Sequence, residues 1–106
     1  MDRNHRIRTA VIADMLAGRF SLDNRIKKMA EEYGELMEAW MVVNDPTSYK
    51  DKKPIDVLEE AIDVNMVARD ILLRVQIEYD FSDDEVEAMF DKKLTKWERL
   101  SKNDNL

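Results

Sequence analysis

The sequence predicts an all-α protein, and three observations support this prediction. The 106 residues include only two glycines and two prolines, whereas all-β folds need many such residues for their turns. Apolar residues recur every three or four positions along most of the chain, which is the period of a helix with one buried face. The polar segment 44–53 contains Pro46 and is the clearest loop. We therefore expect a four- to five-helix bundle-like domain.

Local signals place the ends of the predicted helices. Gly18 stands where the first helix should end, and Ser21 can cap the second. Pro54 suits the first turn of the third helix. Ser82 and Glu85 form a capping-box pattern that opens the fourth. The predicted helices cover residues of about 6–17, 22–43, 55–79 and 83–100.

Length and composition limit the classes of function. A chain of 106 residues is expected to form one domain, residues 1–106. Its net charge of -6 argues against binding to nucleic-acid polymers or anionic membranes. No cysteine is present, which excludes disulfides and thiolate zinc sites. The apolar stretch after the N-terminus is broken by Asp14 and is too short for a signal peptide or a membrane span. We expect a soluble, cytoplasmic protein.

The third predicted helix is apolar over most of its circumference. Such a helix has to be covered on several sides, and a small domain has few elements that could cover it. A second subunit is the simplest cover, so the pattern predicts a homodimer or homotetramer.

Acidic residues are clustered in the second and third predicted helices. Residues three apart on a helix are surface neighbours, so Glu32 pairs with Glu35, and Glu60 pairs with Asp63. Like charges at this spacing are mildly unfavourable unless a cation lies between them. Oxygen ligands without imidazole or thiolate favour Mg²⁺, with Mn²⁺ as a possible substitute. The pattern predicts a magnesium site for chemistry on a phosphate-bearing substrate.

Solvated Glu-rich helix faces are common, and one such motif alone would more often be a surface than a metal site. Two motifs on neighbouring helices favour the metal site. Gly34 lies inside the first motif, where glycine costs about 1 kcal/mol relative to alanine. Close approach of a helix or ligand would explain Gly34, and so would a tolerated weakness.

The motifs Glu31-Glu32-x-x-Glu35 and Glu60-x-x-Asp63, separated by a helix end, a polar loop and a helix start, resemble the signature of the MazG-like all-α nucleotide pyrophosphohydrolases. The surrounding words Glu-Tyr-Gly-Glu-Leu-Met-Glu-Ala-Trp and Leu-Glu-Glu-Ala-Ile-Asp-Val are typical of that family. The resemblance covers roughly residues 26–73 well and the last helix loosely.

The resemblance implies hydrolysis of a nucleoside triphosphate to the monophosphate and pyrophosphate, with Mg²⁺ activating the attacking water. It assigns Glu31 to a further metal contact or to orienting that water, which makes it the candidate catalytic residue. The implied metal ligands are Glu32, Glu35, Glu60 and Asp63.

The fourth helix carries Lys93, Lys96 and Arg99, and the family often ends in a basic segment that meets the substrate phosphates. Where the family commonly has asparagine this chain has Trp97, so these cations are either phosphate contacts or a solvated basic face. Trp40 could stack on a nucleobase, although core packing is the more common role for such a residue.

Two alternatives to this function remain. Phosphoribosyl-ATP pyrophosphohydrolases share the fold and the acidic motifs. A non-catalytic helical interaction module would need only the helical periodicity, with the carboxylates as surface. The presence of all five motif carboxylates favours an enzyme, and pyrophosphate release with and without magnesium separates the three hypotheses.

Overall fold

The computed structural model describes residues 3–17 and 19–102, and these residues form four α-helices and no strand. The all-α prediction is confirmed. The predicted helix end at Gly18 lies outside the described residues. The helices are α1 (Arg3–Ala17), α2 (Leu22–Val43), α3 (Pro54–Glu78) and α4 (Asp83–Ser101).

The predicted caps of α2 and α4 are present. Ser21 Oγ accepts a hydrogen bond from the backbone N–H of Asn24 at 3.0 Å. Ser82 Oγ accepts from the backbone N–H of Glu85 at 3.1 Å, and Glu85 Oε1 accepts from the backbone N–H of Ser82 at 3.2 Å. Each bond satisfies a backbone N–H that has no partner within its helix. Local sequence therefore determines where these two helices begin.

The end of α3 was not predicted in detail. Asp80 has a φ of 55°, in the left-handed region that aspartate adopts more readily than most side chains. The backbone N–H of Phe81 donates to the carbonyl of Gln76 at 2.9 Å, which satisfies one of the last carbonyls of α3. Asp80 thus has the role that glycine often has at a helix end.

The chain divides into two compact units, Met1–Arg74 and Val75–Leu106. The first contains α1, α2 and most of α3. Within it α2 and α3 run antiparallel, because Arg25 lies beside Asp70 while Glu32 lies beside Asp63. The second unit contains the end of α3 and all of α4. The expectation of one domain stays a prediction.

Large apolar side chains line the helices without being covered in the single chain. Among the side chains that the structure describes, Ala39 is the only buried hydrophobic one, at 2 % exposure. The stripes that were expected to be buried form helices as predicted, but much of each stripe is exposed. The exposed members include Ile7, Val11 and Met15 on α1, Ile26, Tyr33 and Met37 on α2, and Ile55, Leu58 and Ile62 on α3.

Across residues 3–17 and 19–102, none of the helices has the length and apolar character needed to cross a lipid bilayer.

Candidate metal centre and adjoining cleft

Three carboxylates meet between α2 and α3. Glu32, Glu60 and Asp63 each offer one carboxylate oxygen, and these oxygens all lie within 4.8 Å of one another. Glu60 and Asp63 share a face of α3 because they are three residues apart. The antiparallel course of α2 brings Glu32 opposite that face. We call these three residues the acidic cluster.

Glu32 is the most enclosed member of the acidic cluster, at 8 % exposure. Its Oε1 lies 3.2 Å from Nζ of Lys28, one turn earlier on α2. Its Oε2 is buried and has no hydrogen-bond partner within residues 3–17 and 19–102, and the same holds for Oε2 of Glu60. Buried charged oxygens are normally paired or bound to a metal. The acidic cluster therefore contains two buried oxygens whose bonding is incomplete in the protein alone.

Glu35 lies next to the acidic cluster but is exposed. The negative charge of Glu32 raises the pKa of Glu35, with smaller contributions from loss of water and from the charge and hydrogen-bonding contact of Glu60. A raised pKa here reflects repulsion among carboxylates that the ammonium of Lys28 offsets only in part. The four predicted ligands thus form one electrostatic group, with three of them close enough to share one ion.

The remaining acidic residues of the motifs lie outside the acidic cluster. Glu31 is exposed, and its Oε1 accepts from Nζ of Lys28 at 3.2 Å. Glu59 is exposed on α3. Glu38 Oε1 accepts from Nζ of Lys50 at 2.6 Å, a bond that lowers the pKa of Glu38 and joins α2 to the following loop.

The donor set fits a hard divalent cation. The acidic cluster supplies only carboxylate oxygens, which Mg²⁺ and Mn²⁺ prefer. Magnesium is usually bound through a few carboxylates while keeping several waters, and three converging oxygens leave room for such waters. The ammonium of Lys28 supplies a single positive charge at the edge, and it reaches only one of the buried carboxylates. A bound ion would provide Oε2 of Glu32 and Oε2 of Glu60 with the partner that they lack among the described residues.

A cleft of about 740 Å³ adjoins the acidic cluster. Glu32 and Asp63 form part of its wall, so the two features are continuous. Arg8 of α1, Arg25 of α2 and Arg69 of α3 also line the cleft. The cleft wall therefore contains both carboxylates that could bind a metal ion and the guanidinium groups of three arginines.

A buried ion pair, formed by Asp70 and Arg25, also lines the cleft. Asp70 is only 5 % exposed, and its Oδ2 lies 3.9 Å from Nε of Arg25. This is an ion pair without a hydrogen bond, since neither atom has a hydrogen-bond partner in the part of the chain that the structure describes. Arg25 lies with its guanidinium carbon 4.7 Å from the ring centre of Phe20, and Arg74 Nη2 donates to the carbonyl of Phe20. These contacts fix the segment between α1 and α2 against α3.

Asn65 and Arg69, on the wall of the cleft, are hydrogen-bonded to each other. Arg69 Nε donates to Asn65 Oδ1 at 3.1 Å, across one turn of α3. This bond uses Nε and orients the rest of the guanidinium group, and both residues line the cleft.

The predicted substrate-binding residues have different positions. Trp40 lies on α2 and is 56 % exposed, so the expected core packing is wrong for the single chain. Lys93, Lys96 and Arg99 are exposed residues of α4, in the second unit; their contact with a substrate stays a prediction. Adding a Cβ atom to Gly34 would meet nothing within 4 Å, so a close neighbour within the chain does not explain this glycine.

Sequence reasoning missed Arg8, Arg25 and Asp70, which line the cleft. A usable signal was present, because Arg25 precedes Glu32 by seven residues and Asp70 follows Asp63 by seven. Seven residues are two helical turns, about 10 Å along the axis, so each pair shares a helix face. His5 precedes the helix start near Arg6 that the sequence predicts, but in the structure it lies within α1, where it is exposed and lines the cleft.

Comparison of the chain with protein-family models, with curated proteins and with solved structures gave no significant match. The functional assignment therefore depends on the residues and geometry of the acidic cluster and its cleft.

Proposed function

We propose that this protein is a magnesium-dependent nucleotide pyrophosphohydrolase of the MazG-like type, which hydrolyses a nucleoside triphosphate to the monophosphate and pyrophosphate. One observation carries the proposal. Three carboxylates from two helices converge beside a cleft that two of them line, and two of the three have a buried oxygen that lacks a partner among the described residues. A surface row of glutamates would have solvated oxygens instead.

Glu32, Glu60 and Asp63 hold the ion in this proposal, and Glu35 completes the carboxylate group from the exposed side. Bound Mg²⁺ would supply neutralisation of phosphate charge and acidification of water. The exposed carboxylate of Glu31 lies beside Lys28 at the edge of the acidic cluster, where it can orient a water or accept its proton. Phosphoryl chemistry needs mainly such positioning and charge neutralisation.

The cleft supports a nucleotide-sized substrate. Its volume of about 740 Å³ is within the range of small-molecule sites, about 300–1,000 Å³. Its arginines have the planar geometry that matches phosphate oxygens. An acidic protein can hold a polyanion in this way because the divalent ion and the guanidinium groups offset the carboxylates locally.

Subunit association is part of the proposal. Ile55, Leu58 and Ile62 follow one another at spacings of three and four on α3, and each is at least half exposed in the single chain. Ile62 also lines the cleft, so the apolar face reaches its edge. A contiguous apolar helix face of this kind indicates a contact with another protein surface. A second copy of the chain would cover it, as a homodimer or homotetramer.

The deciding experiment measures pyrophosphate and single-phosphate release from a panel of ribo- and deoxyribonucleoside triphosphates and phosphoribosyl-ATP. The proposal expects pyrophosphate release from at least one triphosphate, only when Mg²⁺ or Mn²⁺ is present. Release from phosphoribosyl-ATP alone would identify the related enzyme class. No release from any substrate at saturating magnesium would contradict catalysis and favour the helical interaction module.

A further inference from the structure

The geometry points to Arg8 on α1 and Arg69 on α3, which line the same cleft as Glu32 and Asp63, as the residues that bind the phosphate chain. This inference rests on the proposed function and deepens it, because it assigns the phosphate contacts to the first compact unit. The family resemblance had offered Lys93, Lys96 and Arg99 of α4 as candidate phosphate contacts.

The guanidinium groups of Arg8 and Arg69 differ from that of Arg25 in whether a carboxylate pairs with them. Within residues 3–17 and 19–102, neither Arg8 nor Arg69 forms an ion pair with a carboxylate. Arg25, the third arginine of the cleft, is paired with the buried Asp70. Arg8 and Arg69 therefore have positive charge that no carboxylate of the described chain offsets.

The charged side chains around the cleft also favour binding of an anion. Three arginines line it, and so do three carboxylates, those of Glu32, Asp63 and Asp70. Glu60 and Glu35 adjoin an ion bound at the acidic cluster without lining the cleft, so the ion's two charges are offset by the carboxylates around it. Because Arg25 is paired with Asp70, the positive charge left to attract an anion is that of Arg8 and Arg69, in a partly enclosed cleft where such charge acts strongly.

The spacing of Asp63 and Arg69 along α3 suits a chain of phosphate groups. Asp63 and Arg69 are six residues apart on α3, which corresponds to about 9 Å along the helix axis. A phosphate chain held at one end near Asp63 can extend toward Arg69. Asn65 fixes Nε of Arg69 at 3.1 Å and leaves the terminal nitrogens to reach phosphate oxygens. Arg8 lines the same cleft from α1.

The test uses tripolyphosphate and pyrophosphate as probes, because they carry the phosphate chain without a base or sugar. Calorimetric titration in the presence of Mg²⁺ compares the wild type with Arg8→Gln, Arg69→Gln and Arg69→Lys. Arg6→Gln is the matched control, since Arg6 is an exposed arginine on α1 that does not line the cleft. Sulfate at equal ionic strength measures binding of an unrelated anion.

We expect each glutamine substitution to weaken tripolyphosphate binding by about 10- to 100-fold, the usual effect of losing a hydrogen bond to a charged group. Arg69→Lys should lie between wild type and Arg69→Gln because it keeps the charge but loses the fork and the bond to Asn65. Arg6→Gln should bind as wild type does. Mg²⁺ affinity without polyphosphate should not fall in any variant, which separates anion binding from metal binding.

Three results would overturn the inference: no binding of tripolyphosphate by the wild type, unchanged binding in both glutamine variants, or equal weakening in Arg6→Gln. If tripolyphosphate binding is lost only in a triple variant that combines Lys93→Gln, Lys96→Gln and Arg99→Gln, the phosphates bind to α4 instead. Arginine-dependent binding without hydrolysis of any nucleotide would contradict the proposed reaction but leave this inference standing. Circular dichroism of each variant checks that its helices are retained.

Discussion

Nζ of Lys28 lies 3.2 Å from Oε1 of Glu32, while Oε2 of the same carboxylate is buried and has no partner among the described residues. Lys28 also bonds to Glu31 at 3.2 Å, and the bonds to Glu31 and Glu32 raise the pKa of Lys28. The ammonium therefore offsets part of the negative charge when no ion is bound. Because it contacts only one oxygen of Glu32, it leaves the inner face of the acidic cluster for a metal.

The first prediction concerns Lys28→Met. Removing a positive charge beside the acidic cluster should raise Mg²⁺ affinity by about 3- to 10-fold at low ionic strength, with a smaller effect in high salt. The metal-free variant should unfold at a lower temperature than wild type because Glu32 loses its cation. Calorimetric titration and thermal unfolding measure the two effects.

The control for Lys28→Met is Lys27→Met. Lys27 is the adjacent residue, pairs with Asp23 at 2.8 Å and is largely exposed. Its substitution should leave Mg²⁺ affinity within about 2-fold, since exposed charges are well screened. Equal effects of the two variants would show that Lys28 acts only through net charge.

The second prediction concerns the metal ligands. Glu35→Gln, Glu60→Gln and Asp63→Asn should each reduce pyrophosphate release by at least about 100-fold, since even residues that only support metal ligands cost about 10- to 100-fold. A double variant should lose little more than a single one because the ligands act as a unit. Initial rates at saturating Mg²⁺ measure these effects.

Glu59→Gln is the matched control for the ligand variants. Glu59 neighbours Glu60 in the chain but is exposed and lies outside the acidic cluster, so its substitution should be tolerated. Inactivation by Glu59→Gln with full activity in Glu60→Gln would show that the register on α3 is wrong by one residue.

The third prediction concerns metal and stability. A ligand that binds only the folded state stabilises it by mass action, by about 2.7 kcal/mol at a concentration of 100 times its Kd. Mg²⁺ should therefore raise the unfolding temperature, and Mn²⁺ should do the same. Potassium chloride at matched ionic strength should not. A Glu60→Gln variant with an undiminished Mg²⁺ response would place the ion elsewhere.

The fourth prediction concerns pH in the metal-free protein. The charge of Glu32, followed by burial and Glu60, raises the folded-state pKa of Glu35 above its usual value of 4.5. Its contribution to stability is therefore fully present below that usual pKa and is lost as the pH rises through the raised folded-state pKa. Glu35→Gln should be more stable than wild type at pH 7 and equal to it near pH 4.

Thermal unfolding from pH 4 to pH 7 in a chelator measures the effect of Glu35→Gln. Added Mg²⁺ should reverse the order at pH 7, because the wild type then gains a ligand that the variant lacks. Glu59→Gln should show no comparable gain with pH. A constant difference between Glu35→Gln and wild type across the pH range would rule out carboxylate repulsion as its cause.

The fifth prediction concerns subunit association. Leu58 is 54 % exposed in the middle of the apolar face of α3, so Leu58→Glu should place a charge in the subunit contact and shift the protein toward monomer. Sedimentation velocity at micromolar concentration measures this shift. Tyr49→Glu, in the loop at 93 % exposure, is the control and should not alter association. A wild type that sediments as a monomer and binds no hydrophobic dye would contradict association.

The sequence by itself determined the elements of the fold and the residues that could be ligands. Helical periodicity predicted four helices, and Ser21 and Ser82 marked two helix starts, because caps and periodicity depend on neighbours within one turn. The same reasoning paired Glu60 with Asp63, since their spacing of three fixes them on one face of α3. These relations join residues that are close together in the sequence, so the sequence alone is enough to predict them.

Only the tertiary structure decided which side chains meet across helices. It brought Glu32 to Glu60 and Asp63, left Glu31 and Glu59 outside, and placed arginines from α1 and α3 in the adjoining cleft. It also left Trp40 exposed where helical spacing alone had suggested a core position. The physical reason is that spacing fixes a residue's angle around its own helix, whereas burial and ion pairing depend on the distance to other helices, which no local pattern specifies.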